Sequence, residues 1–153
     1  MSGRLIGITR KSRPRGEMEV IDHAAMAIDL GVTGDYRGAI KPGKSGHRQI
    51  TIMAAEDWAD TLADLGVTVS WEQRRANLLS QGIDLPREPG VRLRIGGALV
   101  EITGECDPCS RMEEVAPGLK AALTPNWRGG RTAKVIESGP IAIGDSIIIE
   151  GSA

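Results

Sequence analysis

The stretch VRLRIGGALVEITGE, residues 91–105, decides the class of fold. Arg92 and Arg94 alternate with Leu93 and Ile95, Gly96-Gly97 interrupts the run, and Val100 and Ile102 alternate with Glu101 and Thr103. Apolar residues at every second position share one face of a strand, and a glycine pair between two such runs reverses the chain. The stretch therefore reads as an antiparallel hairpin with one face in a core.

Working outward, other pieces carry the same short, β-branched character. RLIGIT (4–9) and RQITIM (48–53) read as strands, and TAKVIESGPIAIGDSIIIEG (132–151) as two more, around Gly139-Pro140 and Gly144-Asp145. AAEDWADTLADLG (54–66) reads as a helix: Trp58, Leu62 and Leu65 share a face, acids fill the first turn and Gly66 stops it. MEVIDHAAMAIDLG (18–31) is read as a short helix from Asp22 as cap to Gly31, although MEVI suits a strand equally. WEQRRANLLSQGIDL (71–85) begins as a helical turn and becomes extended around Asn77 to Ser80, and a helical interlude covers residues 109–123. Twenty glycines and eight prolines cut the chain into short pieces, and no regular βαβ alternation appears. The expectation is a mostly β (α+β) domain with two to four short helices, spanning 1–153 as one unit.

Nineteen Lys and Arg against twenty Asp and Glu leave a net charge of -1, which argues against a generally basic nucleic-acid binder. With no Phe and one Tyr, the composition also argues against base-stacking platforms. No run approaches the roughly 20 apolar residues of a membrane helix, so a cytoplasmic protein without membrane or nucleic-acid partners is expected. The positive charge is concentrated early: Arg4, Arg10, Lys11, Arg13, Arg15, Arg37, Lys41, Lys44 and Arg48 all fall in the first third.

Within that third, GAIKPGKS (38–45) satisfies the phosphate-loop pattern G-x-x-x-x-G-K-[ST]. Such a loop works only between a buried strand and a helix whose first N–H groups meet the phosphates. Here GVTGDYR (31–37) precedes it, polar and turn-like, and Gly46 leads into a strand. ATP is therefore not expected as a ligand, and Lys41, Lys44, His47 and Arg48 remain as a basic loop that can meet another anion.

Cys106 and Cys109 form a C-x-x-C in GECDPCSR (104–111). Two buried small residues are the plain reading. Zinc needs three or four ligands, and His23 and His47 lack the spacing. A redox dithiol is open, since the motif follows a strand and precedes a helix. So is a single reactive thiol at Cys109: Asp107 as N-cap and Pro108 at the first helical position would place Cys109 in the first turn, with Arg111 adding positive charge. A thiolate so placed can carry sulfur or ligate a soft metal. NWRGGR (126–131) offers two guanidinium groups across a glycine pair, a combination that suits a phosphate nest or a plain turn.

In order, GVTGDYRG, GHRQITIM, RRANLLSQGIDL, GVRLRIGGALVEITGECDPCSRMEE and WRGGRTAKVIESGPIAIGDSI resemble the MOSC domain, named for the C-terminal part of molybdenum cofactor sulfurase. The resemblance runs from about Gly31 to Gly151 and is nearest to short stand-alone bacterial members. It implies a closed β-barrel with a few short flanking helices. It also implies a molybdenum cofactor of the molybdopterin type, or sulfur handling for it, with pyridoxal phosphate as a further family-level association. The family's single cysteine falls on Cys109, as persulfide carrier or metal ligand, which makes Cys106 a bystander. For the cofactor's phosphate the resemblance points to Arg128 and Arg131, then Arg48 and His47, then Lys11 and Arg13, with Lys44 and Arg111 nearby; Asn77 would meet the pterin. A cysteine desulfurase or a molybdoenzyme would be the sulfur donor or acceptor. Two positions depart from the family pattern: Arg37 stands where a His is frequent, and Ala76 where a Glu precedes Asn-Leu. A non-catalytic pterin- or phosphate-binding domain is the alternative beside the Cys106/Cys109 dithiol.

Overall fold

The structure is a computed structural model that describes residues 2–152. Its elements are β1 (Ser2–Arg10), β2 (Glu19–Ile21), β3 (His23–Ala27), β4 (Gly31–Val32), β5 (Ile50–Ala54), α1 (Ala55–Leu65), β6 (Leu78–Gln81), β7 (Val91–Ile95), β8 (Ala98–Glu105), α2 (Arg111–Val115), α3 (Leu119–Leu123), β9 (Arg131–Glu137), β10 (Gly139–Ala142) and β11 (Ser146–Ser152), with single 3-10 turns at Trp71–Arg74 and Pro125–Trp127.

Seven strands close on themselves in the order β11-β7-β8-β9-β5-β6-β1, β1 pairing back to β11, while β2 extends the sheet from β1. Closure leaves few unpaired edges in the ring. All neighbours are antiparallel except β5 and β6, which are joined through α1, as a parallel pair requires a crossover. A second sheet, β10-β3-β4, lies beside the barrel.

The hairpin forms in the register its alternation demands: Leu93 faces Val100 and Arg92 faces Glu101. Leu93, Ile95, Val100 and Ile102 are fully inside, with Leu5, Ile8, Ile52 and Ala133. On the outer face Arg92 donates to Glu101 at 3.2 Å, and Arg94 bonds Glu150 at 2.7 Å and Glu137 at 3.1 Å. The helices cover one flank, where Trp58, Met112, Leu119 and Leu123 pack with Met53 and Leu79. Gly66 ends α1 at φ 66°, a left-handed position that glycine takes without steric cost.

Three expectations are corrected. Residues 22–31 are not a helix: β3 pairs with β10, Ala25 opposite Pro140, and burying Met26 in that pairing overrides the helical preference of the alanines. The C-terminal segment holds three strands rather than two, because the chain breaks at Ser138, whose hydroxyl accepts from the Ile28 N–H at 3.0 Å. Asp107 does not cap a helix. The Cys106 N–H still bonds the Gly130 carbonyl at 2.9 Å, Pro108 is buried, and α2 starts only at Arg111.

The phosphate-loop match also has a structural explanation. Gly38 is buried where the chain crosses the carbonyl of Leu30, and a Cβ there would collide with that oxygen. Glycine is needed for chain-on-chain approach, and the segment that follows enters β5, not a helix. Among the described residues no helix is long and apolar enough to cross a membrane.

Candidate functional site

One end of the barrel carries a cavity of about 330 Å³ built from the ends of several strands. Lys11 follows β1, Asp35 to Arg37 follow β4, Arg48 leads into β5 and Thr51 lies within it, Arg74 to Asn77 lead into β6, and Cys106 to Met112 carry the chain from β8 into α2. These segments are remote in sequence, and ring closure brings them together.

Backbone bonds fix the rim. Tyr36 N–H donates to the Lys11 carbonyl at 2.6 Å, and Lys11 N–H donates to Asp35 Oδ1 at 2.9 Å. Arg75, held left-handed at φ 65°, sends Nη2 to the Gly16 carbonyl at 2.7 Å and so ties down the basic loop after β1. Arg74 is buried; its Nε and Nη2 donate to the Gly129 carbonyl at 3.1 and 2.8 Å, and Nη2 also donates to the Cys106 carbonyl at 3.1 Å and Sγ at 3.4 Å. Asn77 stitches the floor: its Oδ1 accepts from Thr51 N–H at 3.1 Å and Nδ2 donates to Thr9 O at 3.2 Å. One amide hydrogen of Asn77 stays unassigned in that network.

Seven cationic side chains line the cavity, Lys11, Arg15, Arg37, Arg48, Arg74, Arg75 and Arg111, against two carboxylates, Asp35 and Asp107. Among the described residues none of the seven is in an ion pair, whereas Arg10, Arg92, Arg94, Arg128 and Arg131 outside it each hold a carboxylate. Burial, then Arg37 and Arg75, hold Lys11 below the ordinary lysine range, and burial, then Arg111 and Arg37, lower Arg75. Uncompensated charge of this kind is the chemistry that suits an anion.

Cys109 is exposed and Cys106 buried, and both line the cavity. Cys109 heads the turn into α2, its carbonyl accepting from Met112 N–H at 2.9 Å. Among the described residues no group of three or more His, Cys, Asp and Glu gathers to hold a metal. A metal at Cys109 would have to arrive with most of its own ligands.

Of the residues singled out from sequence, Cys109, Lys11, Arg48, Asn77 and Arg111 meet here. Arg128 and Arg131 do not. Arg128 bonds Asp64 at 2.7 Å and the Ala122 carbonyl at 3.1 Å. Arg131 is buried, its guanidinium spent on the Leu85, Pro86 and Trp127 carbonyls and on Asp57 at 3.4 Å, where burial pushes the Asp57 carboxyl up. Arg13 is exposed on the loop and outside the lining, though its neighbours Pro14 and Arg15 are in it. Lys44 and His47 line an adjoining chamber of about 370 Å³, which shares Tyr36, Arg37 and Arg48 with the first. Sequence reasoning passed over Arg74 and Arg75; the signal available was the Arg-Arg pair beside Asn77, and nothing local says that one arm turns inward and one to the rim.

The chain matches the MOSC domain family over residues 29–148. Among solved structures it resembles the YuaD protein of Bacillus subtilis, with a TM-score of 0.82 at 22% identity, covering 96% of this chain and 94% of that one. It also resembles YiiM of Escherichia coli (TM-score 0.70, 14% identity, 98% and 71% covered) and YiiM of Geobacillus stearothermophilus (0.68, 16%, 96% and 72%). No curated protein sequence matches it.

Proposed function

The chain belongs to the MOSC domain family, and on that premise we propose that it binds the molybdenum cofactor and carries sulfur for it on Cys109. The supporting observation is seven cations that, among the described residues, have no ion-pair partner and line one cavity with an exposed thiol. A phosphorylated pterin fits that donor set: its phosphate meets guanidinium groups, and a soft metal that brings its own ligands accepts one thiolate. Each charge-assisted bond to the phosphate contributes about 1.5–3 kcal/mol. When bound, the cofactor supplies the metal centre that receives sulfur.

The chain's own residues divide the work. Lys11, Arg37, Arg48, Arg75 and Arg111 hold the anion, and Asn77 offers its remaining amide hydrogen. Arg74 is a positioning residue that holds the Cys106 end of β8 against the Gly129 loop, and so sets where Cys109 sits. The Cys109 thiolate attacks the outer sulfur of the donor's persulfide; the donor's S–S bond breaks, its inner thiolate leaves, and Cys109 keeps the sulfur as a persulfide. The test is incubation with a cysteine desulfurase and cysteine, followed by mass spectrometry: one sulfur adduct on the Cys109 peptide is expected, and an adduct that survives Cys109→Ser sinks the assignment. Molybdenum and pterin analysis of the purified protein tests the cofactor.

Because Cys106 lines the same cavity, a dithiol role is the second reading. It requires a disulfide that forms under mild oxidation and disappears in Cys106→Ser; an unchanged thiol count removes it.

A further inference from the structure

The charge in the cavity exceeds what one cofactor phosphate needs. Seven cations against two carboxylates leave a surplus of five, and Asp35 already accepts the Lys11 N–H. A phosphate monoester brings at most about two negative charges. The surplus shares the thiol's cavity: Arg111 is two residues beyond Cys109, and Arg111 and Arg37 each sit near enough to Arg75 to bear on its charge. The shared residues Arg37 and Arg48 continue the positive lining into the adjoining chamber, which holds no carboxylate.

We infer that the cavity takes a second, small, sulfur-bearing dianion of the thiosulfate class, and that this anion is a direct donor to Cys109. The inference rests on the sulfur-carrier reading of Cys109. The thiol gives its proton to water, and the thiolate attacks the outer sulfur of thiosulfate. The new Cys109 S–S bond forms as the S–S bond of thiosulfate breaks, and sulfite departs with the electron pair. Atoms and electrons balance without an added oxidant or reductant. Negative charge grows on the departing sulfite, which is where unpaired guanidinium groups favour the transition state over the bound donor. The anion field also selects: a neutral donor gains nothing from it.

The experiment incubates the intact chain anaerobically with thiosulfate and follows sulfite release, the mass of the Cys109 peptide and the rate of Cys109 thiol loss. A neutral organic trisulfide serves as the parallel donor. One sulfite per chain and one sulfur on Cys109 are expected, with neither in Cys109→Ser. Arg111→Gln and Arg75→Gln should each lower the ratio of the thiosulfate rate to the trisulfide rate about tenfold, as loss of a charged donor does. Lys120→Gln, on the exposed surface of α3, should leave that ratio unchanged. If the trisulfide loads Cys109 and thiosulfate releases no sulfite, the donor inference is wrong and the carrier reading stands. A ratio indifferent to both arginine variants overturns recognition by the cavity. If neither donor loads Cys109, the carrier reading falls with it.

Discussion

Replacing Arg74 by Met tests the claim that a buried guanidinium without a carboxylate holds the site together. The side chain donates to two carbonyls, Gly129 and Cys106, and to the Cys106 sulfur, with Nη2 shared among all three. Hydrogen bonds from a charged donor contribute about 1.5–3 kcal/mol each. Sharing puts each carbonyl at the low end, so the two together are about 3 kcal/mol on the same scale. Against this, Met removes the cost of keeping an unpaired cation out of water, which can reach a few kcal/mol in other proteins. Arg74 keeps only 6% of its surface exposed but opens into a cavity, so that relief is partial and a net loss of about 2 kcal/mol is expected. Urea unfolding followed by tryptophan fluorescence should show it: with a slope of roughly 1–3 kcal/mol per molar, the midpoint falls by about 0.7–2 M. Arg74→Lys, a point charge without the fork, should recover part of the loss. A Met variant at least as stable as the parent would refute the reasoning, because desolvation would then outweigh the bonds. So would unchanged stability with unchanged sulfur loading, since Cys109 would owe nothing to this clamp.

Further expectations concern charge and chain approach. Lys11 is held below 10.5, so the folded chain releases that proton before the unfolded chain does, and stability from this group rises as pH climbs through the folded pKa toward the unfolded one. Urea unfolding across the alkaline range should show that rise in the parent and lose it in Lys11→Met, and orthophosphate, which favours the charged lysine, should flatten it. Orthophosphate binding at low salt should weaken more in Lys11→Glu, roughly twentyfold, than in Lys44→Glu, roughly threefold, because Lys44 lines only the adjoining chamber; calorimetric titration reads both. Gly38→Ala should cost about 2 kcal/mol or more in thermal unfolding, since the new methyl meets the fixed carbonyl of Leu30. MgATP should give no hydrolysis with the parent chain.

What the sequence determined alone is whatever depends on near neighbours along the chain. The alternation of residues 91–105 places the hairpin and its buried face, Gly66 stops α1, and the flanks of GAIKPGKS exclude a phosphate loop, each resolved within sixteen residues or fewer. Residues 22–31 went the other way because their partner, β10, lies more than a hundred residues downstream, and an alanine-rich segment takes the structure its burial requires. The site follows the same division. The reactive-thiol reading of Cys109 is local, yet it sets Cys109 inside the first helical turn, whereas the helix begins only at Arg111, and which of the chain's cations surround the thiol has no local signal. Barrel closure decided that: it drew Lys11, Arg37, Arg48, Arg75 and Arg111 to one rim, and turned Arg128 and Arg131, the pair named first for the phosphate, toward Asp64 and Asp57. A guanidinium goes to whatever acceptor the fold sets within reach, and that distance is fixed by strand order and register rather than by position along the chain.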